Sequence, residues 1–503
     1  MTRRLLPVVA VFVAAALSTA CGSSRSAVQV PVEFEQPLAI PPLAESRVAP
    51  DGTRVFSLTA RPGTVRVLEH TPTATWGFNG DILGPTLRAE RGERLAVEVT
   101  NNLPEPTTVH WHGMHLPAAM DGGPHQMIQP GDTWRPTWTI DQPATTLWYH
   151  PHPHGTTEQH IYRGLAGLFI LDDPATSALA LPSRYGVDDI PVIVQDKDLD
   201  RDGNLILDDS GNEIGTLGST VLVNGTLGPY QQVTTDRVRL RLLNASTART
   251  YDFGFDDDRP FQLVATDGGF LATPHRSRRV RLSPGERAEI VVAMDAGTTT
   301  MLRSYPPNLG NVAAPFAFGG NDTLDILQLR AAEKLAPLPP VPAHLPADRR
   351  REASEAVVTR SFELLDRDIN GKRMDMNRID EVVRVGTSEI WEVTNRNPFP
   401  HNFHVHDVQF QVLTIDGAPP SPELAGRKDT IYLEPRRRYR LIMQFEDYTD
   451  DANPYMFHCH VLLHEDEGMM GQFLVTDDTA TPDEPSHHAE SGREHNEHRH
   501  GHE

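Results

Sequence analysis

Histidines spaced two residues apart constrain the fold of this 503-residue chain more than any other feature. Four His-x-His pairs occur, two in the first third of the chain and two near its end: His110/His112, His150/His152, His404/His406 and His458/His460. Side chains at positions i and i+2 of a strand point to the same face, so each pair is expected to present two imidazoles side by side. If the pairs form one site, the first and last parts of the chain must meet there.

The surroundings of the four pairs favour metal ligation over simple packing. Each pair has apolar or aromatic neighbours, such as Trp111, Tyr149 and Phe457. A lone histidine is more often a satisfied core or surface residue, but burying eight imidazoles without partners would be costly. Eight imidazoles exceed the needs of one or two tetrahedral zinc sites and suit a cluster of three metals.

Cys459 lies between the two histidines of the last pair, so it is expected on the opposite face with a metal of its own. His464 follows five residues later, Met469 five after that, and His401 precedes the third pair. Two histidines, a cysteine and a weak axial methionine are the ligands of blue-copper electron-transfer sites, and the soft thiolate favours copper. The backbone on either side of Cys459 would then link an electron-accepting copper to the three-metal cluster.

Short strand-like segments recur along the chain. Residues 95–99 and 238–243 alternate in the period-two pattern of half-buried strands. The 37 glycines and 42 prolines mark frequent turns and favour an all-β chain. At roughly 150 residues per domain the length suggests about three domains, so the pattern predicts three β-sandwiches in a row.

The N-terminus predicts export. Arg3 and Arg4, an apolar run and small residues before Cys21 indicate a signal over residues 1–21. The segment around Cys21 resembles a bacterial lipoprotein signal, which predicts a lipid-anchored protein in the periplasm or at the cell surface; ordinary cleavage that leaves Cys21 unmodified is the alternative. Because Cys21 and Cys459 are the only cysteines, no intradomain disulfide is expected. The formal net charge of −22 argues against binding nucleic acid.

The histidine motifs resemble the four copper motifs of multicopper oxidases. They are His-Trp-His-Gly at 110–113, Trp-Tyr-His-Pro-His-Pro-His-Gly at 148–155, His-Asn-Phe-His-Val-His at 401–406 and the His-Cys-His segment at 458–470. The resemblance covers nearly the whole mature chain and is strongest to bacterial three-domain laccases, bilirubin oxidases and periplasmic cuprous oxidases. It implies an all-β fold of three consecutive cupredoxin-like Greek-key β-sandwich domains.

The resemblance also implies four coppers per chain and a ligand set for each. The type 1 copper would take His401, Cys459, His464 and Met469; the type 2 copper His110 and His404; and the two type 3 coppers His112, His150, His152, His406, His458 and His460. Asp121 and Glu465 match acidic residues near the family's cluster and are expected to deliver protons, with a structural hydrogen bond to a ligand as the alternative. Asn402 stands where relatives commonly have proline, and is expected to change loop stiffness rather than ligation.

The predicted organisation follows from these signals. Its segments are an export signal at 1–21, a tether at 22–45, cupredoxin domains at 46–175, 176–330 and 356–478, a Pro-rich linker at 331–355 and a His-rich disordered tail at 479–503.

The predicted function is oxidation of a small phenolic or aromatic amine donor, one electron at a time, coupled to reduction of dioxygen to water by a monomeric enzyme. A cuprous oxidase that takes Cu(I) in copper tolerance is the alternative: the His-rich tail suits it, whereas the 12 methionines form no Met-rich run. A copper-free scaffold of the same fold is more distant, because the complete donor set is present.

Overall fold

A computed structural model describes residues 32–207 and 213–477 of the chain. The predicted export signal, the lipid anchor at Cys21 and the His-rich tail lie outside these residues and stay predictions. In the described part the longest helix has 6 residues, too short to span a bilayer. The all-β class is confirmed, since nearly all regular structure is strand.

The first domain is a sandwich of two sheets. The elements up to its end are β1 (Gln36–Pro37), β2 (Ser46–Val48), β3 (Arg54–Leu68), β4 (Thr71–Phe78), β5 (Leu87–Glu90), β6 (Arg94–Asn101), β7 (Thr133–Trp134), β8 (Thr137–Thr139), β9 (Thr145–Tyr149), α1 (Thr157–Tyr162), β10 (Gly167–Asp172) and α2 (Pro174–Ser177). One sheet has the order β2-β3-β6-β7, with β4 paired to β3 and β8 to β6, and the other has the order β5-β10-β9. Its core packs Leu95, Val97 and Val99 of the predicted strand against Trp111 and Phe169.

The second domain follows as another sandwich. Its strands are β11 (Asp189–Leu199), β12 (Leu205–Ile206), β13 (Thr220–Val223), β14 (Thr226–Leu227), β15 (Pro229–Thr235), β16 (Arg237–Asn244), β17 (Tyr251–Phe255), β18 (Phe261–Thr266), β19 (Gly269–Ser277), β20 (Val280–Leu282), β21 (Arg287–Ala293), β22 (Thr299–Tyr305) and β23 (Leu324–Ala336). One sheet has the order β1-β15-β23-β22-β17-β20 and the other β14-β13-β11-β16-β21-β18-β19, with β12 on β11. Residues of the expected tether therefore join this domain, because β1 adds a parallel strand beside β15.

The third domain repeats the plan. Its elements are β24 (Ala356–Leu365), β25 (Asp368–Ile369), β26 (Glu381–Arg384), β27 (Thr387–Asn395), β28 (His401–Val405), β29 (Phe410–Ile415), β30 (Arg427–Lys428), β31 (Thr430–Leu433), β32 (Arg438–Phe445), β33 (Asp450–His458), α3 (Leu462–Asp466) and β34 (Met470–Thr476). The sheets have the orders β25-β24-β27-β32-β29-β30 and β26-β34-β33-β28-β31. Single 3₁₀ turns lie at Ala118–Met120, Pro315–Phe318, Ala353–Glu355 and Pro422–Leu424.

The domains pack into one body around shared side chains. Trp148 of the first domain, Leu243 of the second and Leu462 of the third belong to a single buried cluster. The alternating segment 238–243 is buried on both faces rather than half-buried, because Arg239 and Arg241 form buried ion pairs. The first and third domains can therefore meet beside the second.

Candidate metal centre

The four histidine pairs lie at the ends of strands rather than within them. His404 belongs to β28 and His458 is the last residue of β33, where the two pair in antiparallel register. His150 follows β9 directly and forms an isolated antiparallel bridge with His110. Because sheet pairing stops at these points, the imidazoles occupy the boundary between the first and third domains instead of a sheet face.

Eight imidazoles, all at most 1% exposed, converge at this boundary. His152 Nε2 lies 3.1 Å from His458 Nε2, which lies 3.2 Å from His406 Nε2. His112 Nδ1 lies 3.2 Å from His150 Nε2. Two rings from the first domain stack on rings from the third, with centroids 3.8 Å apart for His110 and His406 and 3.7 Å apart for His112 and His404.

The remaining member, His460, packs its ring 5.0 Å from that of His112 and 5.3 Å from that of His150. The structure thus brings all four pairs together.

Hydrogen bonds at the outer ring nitrogens orient the imidazoles. His404 Nδ1 donates to the Asp429 carbonyl at 2.8 Å, and His110 Nδ1 to the Asp121 carbonyl at 3.1 Å. Among the described residues, neither His404 Nε2 nor His110 Nε2 has a hydrogen-bond partner, although both are buried. Burial lowers the pKa of six of these rings and so favours their neutral form; the pKa of His460, for example, falls to about 3. Uncharged lone pairs that face one another in a buried site are ready to bind a cation.

A second donor set lies on the other side of the Cys459 backbone. Cys459 Sγ lies 3.5 Å from His401 Nδ1 and 3.6 Å from His464 Nδ1, and the two imidazole nitrogens are 3.1 Å apart. His464 Nε2 donates to the Glu213 carbonyl at 2.9 Å, which leaves Nδ1 free to face the sulfur. Met469 is buried in the same core, and its carbonyl accepts the Cys459 N–H at 3.1 Å.

Both donor sets fit copper. Burial raises the pKa of the Cys459 thiol to about 12, so a thiolate at this position requires a cation beside it. A thiolate with two neutral imidazoles is a soft donor set that selects copper, and imidazole clusters also suit this metal. The carboxylates of Asp121 and Asp429 hydrogen-bond to the outer nitrogens of His406 and His112, not to the nitrogens that face one another. A hard cation would instead prefer carboxylate oxygens as direct ligands.

Comparisons with known proteins agree with this chemistry. Family profiles described as multicopper oxidase match residues 59–176, 200–310 and 339–479. The multicopper oxidase mco of Staphylococcus haemolyticus is 35% identical over 443 residues, which is 87% of this chain and 92% of that protein. This chain belongs to the multicopper oxidase family. The confirmed fold class is accordingly three cupredoxin-like domains.

Other relatives of this multicopper oxidase differ in their described roles. The cell division protein FtsP of Escherichia coli is 36% identical over 450 residues, 88% of this chain and 93% of its own length. A solved laccase-like multicopper oxidase, CueO from the lignin-degrading bacterium Ochrobactrum sp., superposes with a TM-score of 0.80 at 35% identity. That match covers 88% of this chain and 100% of the other.

The two predicted acidic residues of the multicopper oxidase contact opposite sides of the imidazole cluster. Asp121 Oδ2 accepts from His406 Nδ1 at 2.7 Å, and its Oδ1 lies 3.3 Å from His110 Nδ1. Glu465 is fully buried, with Oε2 3.1 Å from His458 Nδ1 and Oε1 3.5 Å from His152 Nδ1. Burial alone would raise the pKa of Glu465, but the neighbouring imidazoles outweigh it and lower the pKa, so the carboxylate form is favoured. Each carboxylate therefore lies against two imidazoles of the cluster.

Other residues that contact the ligands were not expected from the sequence. Asp429 and Thr430 both contact His112 Nε2, each at 3.0 Å. Asn402, expected to change loop stiffness, also contacts both sites: its Oδ1 accepts the His460 N–H and lies 3.4 Å from Cys459 Sγ. Asp429 and Thr430 lie outside the histidine motifs, and no sequence periodicity marks them as neighbours of the ligands. Only Asn402, which lies inside a motif, could have been identified from the sequence.

Proposed function

We propose that this multicopper oxidase takes single electrons from small phenolic or aromatic amine donors beside His464 and reduces dioxygen to water at the eight-imidazole cluster. The observation that carries the donor class is a narrow apolar cleft against His401 and His464. Its walls include Ile214, Leu217 and Phe318, and its described lining contains neither a carboxylate nor a methionine. A cation finds no carboxylate or thioether ligand there, only uncharged hydroxyl and amide oxygens, whereas an aromatic ring edge finds matching apolar contacts.

The cleft volume, about 20 Å³, admits an edge of a donor rather than a whole ring. Full enclosure is unnecessary when the reaction is transfer of one electron. Oxidase activity towards lignin model compounds, described for the Ochrobactrum relative, supports the same donor class.

The donor residues form two separate sites with different proposed roles. The thiolate set would hold one copper and the imidazoles three, and these ions would supply one-electron chemistry and dioxygen reduction. Cys459 joins the sites covalently, since its two sequence neighbours belong to the cluster. Asp121 and Glu465 would relay protons to the cluster through carboxylate oxygens that contact its imidazoles.

The relationship to a cell division protein favours a second candidate, a structural role without electron transfer. The two candidates predict different copper contents. A scaffold needs no metal, whereas the oxidase needs the thiolate set and the cluster both filled.

Steady-state oxygen uptake distinguishes these functions. The copper-loaded chain should consume oxygen with phenolic donors at a higher kcat/KM than with Cu(I), and copper analysis should give four per chain. Far more efficient use of Cu(I) would replace the proposal with the cuprous oxidase, and a chain that purifies and remains copper-free after loading would favour the scaffold.

A further inference from the structure

One buried arginine of the second domain reaches a residue that contacts the imidazole cluster. Arg287 is the first residue of β21, and its guanidinium, 1% exposed, crosses to the third domain. NH1 and NH2 donate to the two carboxylate oxygens of Asp429, each at 2.6 Å. The eight imidazoles themselves all come from the first and third domains, so this ion pair is a direct path from the second domain to them.

All five N–H donors of Arg287 have acceptors. Besides Asp429, Nε donates to the Thr146 carbonyl at 3.0 Å, NH1 to the Gly285 carbonyl at 3.1 Å and NH2 to the Asp267 carbonyl at 3.0 Å. A planar guanidinium with every donor engaged has a single orientation. It therefore holds the Asp429 carboxylate in a defined position.

Asp429 in turn contacts rings from both other domains. Its Oδ1 accepts from His112 Nε2 at 3.0 Å, so that His112 presents Nδ1 to the cluster. Its backbone carbonyl accepts from His404 Nδ1 at 2.8 Å, so that His404 presents Nε2. Asp429 thus orients two stacked rings, His112 through its Nε2 and His404 through its Nδ1.

The close approach requires the glycine that follows His112. Gly113 has φ +85°, and a Cβ there would lie 2.4 Å from Asp429 Oδ2 and 2.8 Å from Arg287 NH2. The backbone of the first histidine motif is therefore adapted to this ion pair.

We infer that Arg287 and Asp429 are positioning residues through which the second domain sets the orientation of His112 and His404 for copper binding at the cluster. The inference rests on the proposed copper occupancy of the cluster but not on the donor class. It gives the second domain a role in the metal chemistry although it supplies no imidazole to the site.

The test uses two variants of the full chain. Arg287→Lys keeps the positive charge but loses the bidentate contact with Asp429, and Asp429→Asn keeps the side-chain shape but loses the negative charge. Copper titration should show cluster affinity weakened about 10–100-fold, as for other changes behind metal ligands. The type 2 signal in electron paramagnetic resonance should change, while the blue band of the Cys459 site and its copper affinity stay as in the wild type.

Arg360→Lys is the matched control. Arg360 forms a comparable two-pronged contact with Glu389, at 2.6 and 2.9 Å, within the third domain and away from the cluster. It should lower the unfolding midpoint without altering either copper site.

Wild-type cluster affinity and an unchanged type 2 signal in both test variants would overturn the inference. Equal weakening of the cluster and the blue site would also overturn it, since that is a general loss of structure. If neither test variant folds, the copper-free wild type decides: its His112 ring signal should show a single Nε2–H tautomer by nuclear magnetic resonance, and a mixed tautomer refutes the positioning role. A wild type that binds four coppers yet ignores phenols would refute only the donor class.

Discussion

At the scale of single residues, Cys459 belongs to one proposed copper site while its neighbours His458 and His460 belong to the other. Its side chain lies in an apolar core with Phe457 and Met469, whereas its neighbours lie in the polar boundary between domains. The alternation of side chains along extended backbone makes this separation unavoidable. A change at this one atom should therefore affect one site without dismantling the other.

Cys459→Ser should abolish the blue colour of the copper-loaded protein and lower the copper content by about one per chain. A hydroxyl does not ionise to a soft ligand as a thiol does beside copper. Visible absorption and copper analysis measure the effect. His154→Ala, at an exposed histidine of the second motif, should keep the full band; blue colour in the serine variant would contradict the ligand assignment.

Asn402 connects the second domain to the backbone of the last motif. Its Nδ2 donates to the Pro284 carbonyl at 3.0 Å, and its Oδ1 accepts the His460 N–H. Asn402→Ala should lower the unfolding free energy by about 1–3 kcal/mol, because it leaves buried groups without partners. Asn402→Asp places an oxygen against the Pro284 carbonyl in a fully buried site, so it should lose at least as much; urea unfolding in which both variants match the wild type would show that these contacts contribute little.

At the scale of elements, the donor residues depend on where strands end and short helices begin. The register of β28 against β33 places His404 opposite His458. Helix α3 begins two residues after His460 and carries His464 and Glu465. Its final residue, Asp466, accepts the backbone N–H groups of Thr157 and Glu158, both at 2.8 Å, at the start of α1. A helix of the third domain thus caps a helix of the first.

Asp466→Ala should destabilise the protein by about 1–2 kcal/mol, the usual cost of removing a helix cap. Asp466→Asn retains one acceptor oxygen and should cost less. Equilibrium urea unfolding of the copper-free variants measures both. Losses near zero for both variants would mean that the cap contacts contribute little.

At the scale of the whole molecule, charged groups connect the first and third domains beside the cluster. His115 Nδ1 lies 2.7 Å from Asp407 Oδ1, and Nε2 lies 2.9 Å from Asp447 Oδ1. Burial alone would lower the pKa of His115, but the charge and hydrogen bond of Asp407, with the hydrogen bond of Asp447, raise the pKa to about 9. His115 therefore remains a cation between two carboxylates of the other domain at neutral pH.

This shift predicts a pH dependence of stability. Because the folded pKa lies above the unfolded value of about 6.5, the stabilisation is complete below that pH and is lost as the pH rises through about 9. His115→Gln should cost on the order of 3 kcal/mol more at pH 6 than at pH 10. Urea unfolding of wild type and variant at both pH values measures it, and an equal cost at both would rule out the charged pair.

Much of this organisation follows from local patterns in the amino-acid sequence. Hydrophobic alternation and turn residues indicate sandwiches, and the strand expected at residues 95–99 lies within β6. Histidine spacing singles out every imidazole that converges at the boundary. Strand limits are harder to predict: β23 continues to Ala336, beyond the expected domain end at 330, since extended chain can continue where a parallel partner such as β15 is present.

By itself, the sequence determined which donor atoms exist and that Cys459 must face away from its neighbours, because spacing along extended backbone is a local property. Tertiary structure alone decided which nitrogen each ring presents and that Asp429, Arg287 and Asn402 approach the ligands. Those choices depend on hydrogen bonds between domains, such as that of His112 to a residue 317 positions away. No local pattern encodes such a contact, since it arises only where three sandwiches pack together.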